Sequence, residues 1–260
     1  SDFRDPWSEL DLLNEFHLTK KSKKKYRKLE KEVLQNADVT LTVSETWVES
    51  FKRLGSKNVK LITNGFDEDD FVVKEKENDK FIIGHFGLLN HLRNPKNLWK
   101  TLHDLCDENP DFNDKLEIRL SGNIDTEVLQ NITQYFHLKN KVTVLGYLSH
   151  KEVLREYNES SVLLLLLFNS ESGIGNYPGK IFEYFASKRP ILGFGPKESD
   201  TQKLIEKTKS GNYHYYEDVN LKENIISLFE NKEEFVVSEE INNFTRKKLT
   251  KQLSVLLNKM

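Results

Sequence analysis

The chain has 260 residues, enough to bury a large core and to hold more than one domain at about 150 residues each. Its formal charge of −2 gives no overall polyelectrolyte character, so nucleic-acid binding has no compositional support. The lone cysteine, Cys106, excludes an internal disulfide framework, and no apolar run nears the ~20 residues that span a bilayer.

With no secretory signal at its start, the chain reads as a soluble cytoplasmic protein. Residues 6–36 read as helical, with Leu10, Leu13, Phe16, Tyr26, Leu29 and Val33 marking apolar faces. Inside this stretch, Lys20-Lys-Ser-Lys-Lys-Lys-Tyr-Arg-Lys28 is a dense basic cluster. It is either a solvated helix face or a peripheral contact for an anionic membrane. Residues 37–43 read as a strand and 45–54 as a helix capped by Ser44 and ended by Gly55. A short strand over 59–62 leads to the turn signal Asn64-Gly65, and the charged, poorly periodic stretch 67–79 reads as a linker.

From Lys80 the alternation becomes regular. Strands are predicted at 81–86, 116–120, 142–145, 162–168 and 190–194, and helices at 97–106, 125–136, 151–157, from 180, and at 201–207. This rhythm predicts an α/β fold with a doubly wound, Rossmann-like parallel sheet. The final run, 244–257, is amphipathic.

The most informative segment is Tyr177-Pro-Gly-Lys-Ile-Phe-Glu-Tyr-Phe-Ala-Ser-Lys-Arg-Pro-Ile-Leu-Gly-Phe-Gly195, a glycine-bearing loop, a short helix and a buried strand. With the apolar run Val162–Phe168 before it, this is a βαβ unit, in which ligands sit beyond the carboxyl ends of the strands and at the helix N-terminus. Lys180 and Glu183, three residues apart, share one face of the first turns. A cation beside free backbone N–H groups suits a phosphate, and a carboxylate one turn on suits sugar hydroxyls.

Gly-Lys-Ile-Phe-Glu-Tyr-Phe-Ala-Ser-Lys-Arg-Pro-Ile-Leu resembles the donor-binding signature of family 4 glycosyltransferases, retaining enzymes of the GT-B fold. Asp2-Phe-Arg-Asp-Pro-Trp7, Ala37-Asp-Val-Thr-Leu-Thr-Val-Ser44, Leu61-Ile-Thr-Asn-Gly-Phe-Asp67 and His85-Phe-Gly-Leu-Leu-Asn-His-Leu-Arg-Asn-Pro95 resemble, in order, other parts of that family. The resemblance implies three parts: residues 1–72, a remnant of the acceptor-side domain; 73–241, a nucleotide-sugar donor domain; and 242–260, a helix crossing back to the first. It also implies the C-terminal portion of a longer hexosyltransferase of cell-surface polysaccharide assembly, inactive as this portion alone. Its partners would be a nucleotide-diphosphate sugar and a glycan or lipid-linked acceptor. No cofactor and no metal are expected, because protein cations and helix dipoles stabilise the leaving diphosphate.

On this resemblance Gly87, Leu88 and Arg93 belong to the glycine loop that meets the diphosphate, and Arg93 with Lys180 supplies its positive charge. Many family members carry arginine where Leu88 stands, so one of two usual cations is missing there, and Lys180 is the replacement. Otherwise Arg93 is a solvated arginine, and Lys180 a surface lysine whose stem packs on Phe182. Gly179, Ile181 and Glu183 line the helix start, with Glu183 on the ribose hydroxyls or paired with Lys180 or Lys188. Gly122, Asn123 and Tyr147 follow two strands on the same sheet edge, and Tyr147 either stacks on the base or packs at its strand end. The family's first glutamate falls at Gly175; Glu171, four residues earlier, could reach in from the loop Asn169–Gly179. His85 and His150 read as structural, with no second metal ligand at suitable spacing. Two other readings remain open: a non-catalytic nucleotide-binding module, and a GT-B nucleotide-sugar epimerase, which would need its own acid/base pair.

Overall fold

Among the described residues eight strands are formed: β1 (Thr40–Thr42), β2 (Val59–Leu61), β3 (Phe81–Phe86), β4 (Leu116–Ser121), β5 (Val142–Gly146), β6 (Val162–Leu166), β7 (Ile191–Phe194) and β8 (Gly211–His214). The structure, a computed structural model, describes residues 1–10, 13, 16–71, 79–230 and 235–259. β3 to β8 make one parallel sheet in the order β5-β4-β3-β6-β7-β8. The strand order therefore reverses between β3 and β6, and in open α/β sheets ligands bind beyond the carboxyl ends at such a reversal.

Burial follows from composition. Every residue of β3, β6 and β7 is buried, as befits near-continuous apolar runs covered on both faces. Alternate residues supply the two cores. Ile83, Leu164 and Leu166 join Trp99 and Leu102 on one side, while Leu163 and Leu165 join Ile181, Phe182 and Phe185 on the other. The edge strand β5 is exposed at Thr143 and Val144, because nothing pairs beyond it.

The N-terminal part is smaller. β1 and β2 pair in parallel, Asp2 bridges to Leu41, and Phe3, Leu34, Val43, Trp47, Phe51 and Leu54 form its core. The continuous helix expected over 6–36 is corrected. Helix Lys20–Asn36 starts at its Thr19 cap, whose hydroxyl accepts from Ser22 N at 3.1 Å. Residues 6–10 are irregular because Glu30 turns inward and accepts from the Trp7 backbone N–H at 2.5 Å and from Ser8. Residues 11, 12, 14 and 15 of that stretch lie outside the described residues, as do 72–78 of the expected linker and its 72/73 boundary. Helices Pro110–Lys115, Glu171–Ile174 and Lys222–Glu230 and strand β8 escaped the sequence reading. Each is short or polar; β8 reads Gly-Asn-Tyr-His, with no apolar alternation to betray it.

The two parts meet at several places, and backbone hydrogen bonds mark two of them. Phe66 bridges to Thr245: Phe66 N donates to Phe244 O at 3.1 Å and Arg246 N to Phe66 O at 2.8 Å. Gly65 permits the approach, since a Cβ there would lie 2.3 Å from Phe244 O. Helix Arg246–Leu257 then runs back, bringing Leu256 and Leu257 beside Asp2 and Leu41. The second meeting is at the start of helix Glu45–Arg53. Thr46 N donates to the buried Asp200 carboxylate at 2.8 Å, and Tyr177 OH donates to Glu45 at 2.8 Å. Asp200→Ala leaves a helix N–H without its acceptor and is expected to cost about 1–2 kcal/mol, read as a lower urea midpoint at unchanged slope.

Candidate functional site

Three glycines with positive φ follow three neighbouring strands: Gly87 (136°) after β3, Gly122 (104°) after β4, and Gly146 (69°) at the end of β5. Their turns are stitched together, Gly87 N donating to Ser121 O at 2.7 Å and Gly122 N to Gly146 O at 2.9 Å. Gly122 has no room for a side chain, because a Cβ would lie 2.6 Å from Gly87 O. The result is a floor of backbone at the carboxyl edge of the sheet, beside the strand-order reversal.

Lys180 opens helix Lys180–Ser187 and reaches across that reversal. Its ammonium donates to Phe86 O at 2.7 Å and sits 2.8 Å from where a Gly87 Cβ would be. Burial, and then the charge of Arg93, lower its pKa to about 7, with Glu183 only partly offsetting them. Arg93 ends the turn His91–Arg93 and lays its guanidinium 3.8 Å above the ring of Phe168, the residue closing the apolar β6 run. Its Nε is buried without a hydrogen-bond partner, and burial lowers its pKa. Among the described residues, no carboxylate forms an ion pair with either Arg93 or Lys180. Two close cations without a counter-ion repel each other and favour an anion between them.

His85 lies beneath them, fully buried, its Nδ1 3.0 Å from Leu164 O and its Nε2 3.3 Å from Leu88 O. Burial, with the Lys180 charge behind it, lowers its pKa to about 3, so the ring is neutral and its single N–H donates to only one of these two carbonyls. One turn along the helix, Glu183 accepts from Tyr157 OH at 3.0 Å. Burial raises the pKa of that phenol above its ordinary value, with Tyr184 and Glu183 adding to the effect, so it remains a donor.

The structure thus brings Gly87, Arg93 and Lys180 together, places Glu183 one turn on, and joins Gly122 to them through the Gly87 carbonyl. Leu88 is half-buried over His85 and Gly179 is open to solvent, with nothing within 4 Å of a Cβ there. Ile181 points into the core and its N–H closes a turn on Pro178 O at 3.0 Å. Asn123 is exposed, its carbonyl accepting from Leu89 N, and Tyr147 is 93% exposed beyond the β5 end.

Glu171 lies elsewhere. It starts the four-residue helix Glu171–Ile174 and lines a cleft of about 450 Å³ with Glu9, Lys23, Tyr26, Trp47 and Arg53 of the N-terminal part. Gly175 is buried against Trp47: a Cβ would lie 2.8 Å from indole Cε2 and 3.0 Å from Thr46 Cβ. Sequence reasoning missed Phe168, Tyr157 and Trp47. Only Phe168 carried a usable signal, as the aromatic end of the longest apolar run. Among the described residues, no group of three histidine, cysteine or acidic side chains could hold a metal ion, and no helix is long and apolar enough to cross a membrane.

This architecture is the GT-B fold of glycosyltransferases. Sucrose-phosphate synthase from Thermosynechococcus elongatus superposes with a TM-score of 0.67 over 99% of this chain and 66% of its own, at 16% identity. For an α,α-trehalose-phosphate synthase (UDP-forming) from Burkholderia vietnamiensis the values are 0.68, 99%, 65% and 9%. For a mutant of S. aureus TarM, solved with fondaparinux, α-GlcNAc-glycerol and UDP, they are 0.69, 90%, 46% and 15%. The chain therefore spans less than two thirds of the length of these proteins. No protein-family model matches the sequence, and no curated protein matches it.

Proposed function

We propose that this chain carries the nucleotide-sugar site of a glycosyltransferase, a hexosyl-transferring enzyme of the retaining family its signature resembles. The observation that carries this reading is the pair Arg93 and Lys180: two partly buried cations without a carboxylate, one with an orphaned Nε, over a glycine floor at the strand-order reversal. A diphosphate fits that need in charge and in shape. As the sugar–phosphate bond breaks, negative charge grows on the leaving diphosphate, and fixed cations there lower the barrier. Lys180 and Arg93 take that role here. Glu183, steadied by Tyr157, faces the ribose hydroxyls, and the base lies toward Gly122, Asn123 and Tyr147. UDP, bound by the solved TarM mutant, is the first nucleotide to try. The acceptor would be a glycan or lipid-linked sugar of cell-surface polysaccharide assembly, with the reaction on the cytoplasmic side, where a lone unpaired cysteine is at home.

Calorimetric titration with UDP and GDP tests the donor site. Saturable binding of one nucleotide is expected, weakened about 10- to 100-fold by Arg93→Ala, which removes a charge-assisted contact worth roughly 1.5–3 kcal/mol. Glu183→Ala is expected to weaken the nucleotide and leave inorganic pyrophosphate unaffected. Absence of binding by either nucleotide, or equal affinity in the Arg93 variant, would overturn the assignment.

A further inference from the structure

The basic cluster has no part in the donor site, and the structure shows how it is presented. Helix Lys20–Asn36 is anchored by only one side: Glu30 and Leu34 are its buried residues, Glu30 held by Trp7 and Ser8 and Leu34 in the small N-terminal core. Lys20, Lys21, Lys24, Lys25, Lys28 and Lys31 are all exposed, and none takes part in an ion pair among the described residues. The arrangement is electrostatically unfavourable in isolation. No acid stands in the first turn, so the lysines there oppose the helix dipole, and the pairs Lys20–Lys24, Lys21–Lys25 and Lys24–Lys28 set like charges one turn apart.

A second feature accompanies the charge. Tyr26, Leu29 and Val33, spaced to share one flank of this helix, are 44%, 45% and 38% exposed, and Phe16, just before it, is 62% exposed. Exposed apolar and aromatic side chains bordering a dense cationic face match the interface of an anionic bilayer, where rings enter the headgroup layer and lysines meet phosphates. A hydrated polyanion such as nucleic acid would use the charge and leave the aliphatic flank in water. Lys23 and Tyr26 also line the Glu171–Trp47 cleft, so docking here sets that cleft beside the bilayer.

We propose that residues 16–33 form a docking surface for an anionic phospholipid membrane. Docking is independent of the donor-site reading; only its use, delivery of a lipid-linked acceptor, rests on it.

Flotation with vesicles of phosphatidylcholine, alone or mixed with phosphatidylglycerol, tests this on the chain as it stands. The protein is expected to float only with the mixed vesicles and to be released by salt, since screening shortens the reach of surface charge. Charge reversal at Lys21, Lys24, Lys25 and Lys28 is expected to lower partition by about two orders of magnitude or more, at roughly fivefold per cation. Leu29→Ser with Val33→Ser should lower it without altering the charge. Far-UV circular dichroism and urea unfolding of each variant verify folding, and variants that fail are replaced by Lys→Gln at the same four positions. Equal binding to both vesicle types, no binding, flotation unaffected by the charge changes, or capture by heparin or duplex DNA without capture by vesicles would each overturn the proposal.

Discussion

Lys180→Met is expected to weaken nucleotide binding about 10- to 100-fold while making the unliganded protein more stable at pH 6 by about 1–2 kcal/mol. The ammonium is held in a place that disfavours its charge, so its pKa falls from 10.5 to about 7. The sign follows directly. Below pH 7 both folded and unfolded chains carry the proton, and the folded state bears the full unfavourable effect of burying it. Between pH 7 and 10.5 only the unfolded chain holds the proton, so stability rises with pH and the advantage of methionine shrinks. The shift corresponds to at most about 5 kcal/mol; the lost hydrogen bond to Phe86 O and partial solvent access reduce it. Urea unfolding at pH 6 and pH 9 measures the effect. An unchanged midpoint at pH 6 would show that the lysine is comfortable without a ligand. In wild-type protein nucleotide binding is expected to weaken as pH rises above 7, because the cation must be regenerated, and binding at pH 7.5 is expected to take up protons. The methionine variant should lose that dependence.

Gly175→Glu is expected to be the most damaging single change at the junction of the two parts, costing about 3–5 kcal/mol. A Cβ at this position meets the Trp47 indole at 2.8 Å, and a carboxylate would be added where an apolar ring excludes water. Gly175→Ala isolates the steric part at about 1–3 kcal/mol, since the backbone at Gly175 (φ −91°) suits any residue. Trp47→Ala alone should cost about 3–5 kcal/mol. The double variant Gly175→Glu with Trp47→Ala should cost less than the sum, because the clash disappears with the ring. Strict additivity in urea unfolding would mean that the contact is not what keeps this position a glycine.

That contact also marks where sequence reasoning stopped. Strands β3 and β6 and helix Lys180–Ser187 were legible because burial on both faces leaves a continuous apolar record, and because Gly-Lys at a helix start is a local signal. Arg93 and Lys180 were legible as cations, and Gly175 as a glycine. The packing of Gly175 on Trp47 was not legible, because Trp47 lies in the other part of the chain and nothing local couples the two. Tyr157 on Glu183 was hidden in the same way, an ordinary core residue until folding sets it against a charge, and Phe168 showed only as the aromatic end of an apolar run, not as the ring under Arg93. The break in the helix expected over 6–36 came from a polar side chain, Glu30, turning inward against the periodicity around it. Strand β8 left no pattern at all, since half-burial at a sheet edge tolerates polar residues.

Because Phe66 and Thr245 pair, the polypeptide leaves the N-terminal part and returns to it at one spot. Crossings at two separate places would brace the halves against every rotation. Zipped together, the outgoing and returning segments form one seam, and the close fit of Gly65 under Phe244 fixes where it lies. The fastenings away from that seam are the hydrogen bonds of Thr46 to Asp200 and of Tyr177 to Glu45, and the close packing of Gly175 on the Trp47 indole.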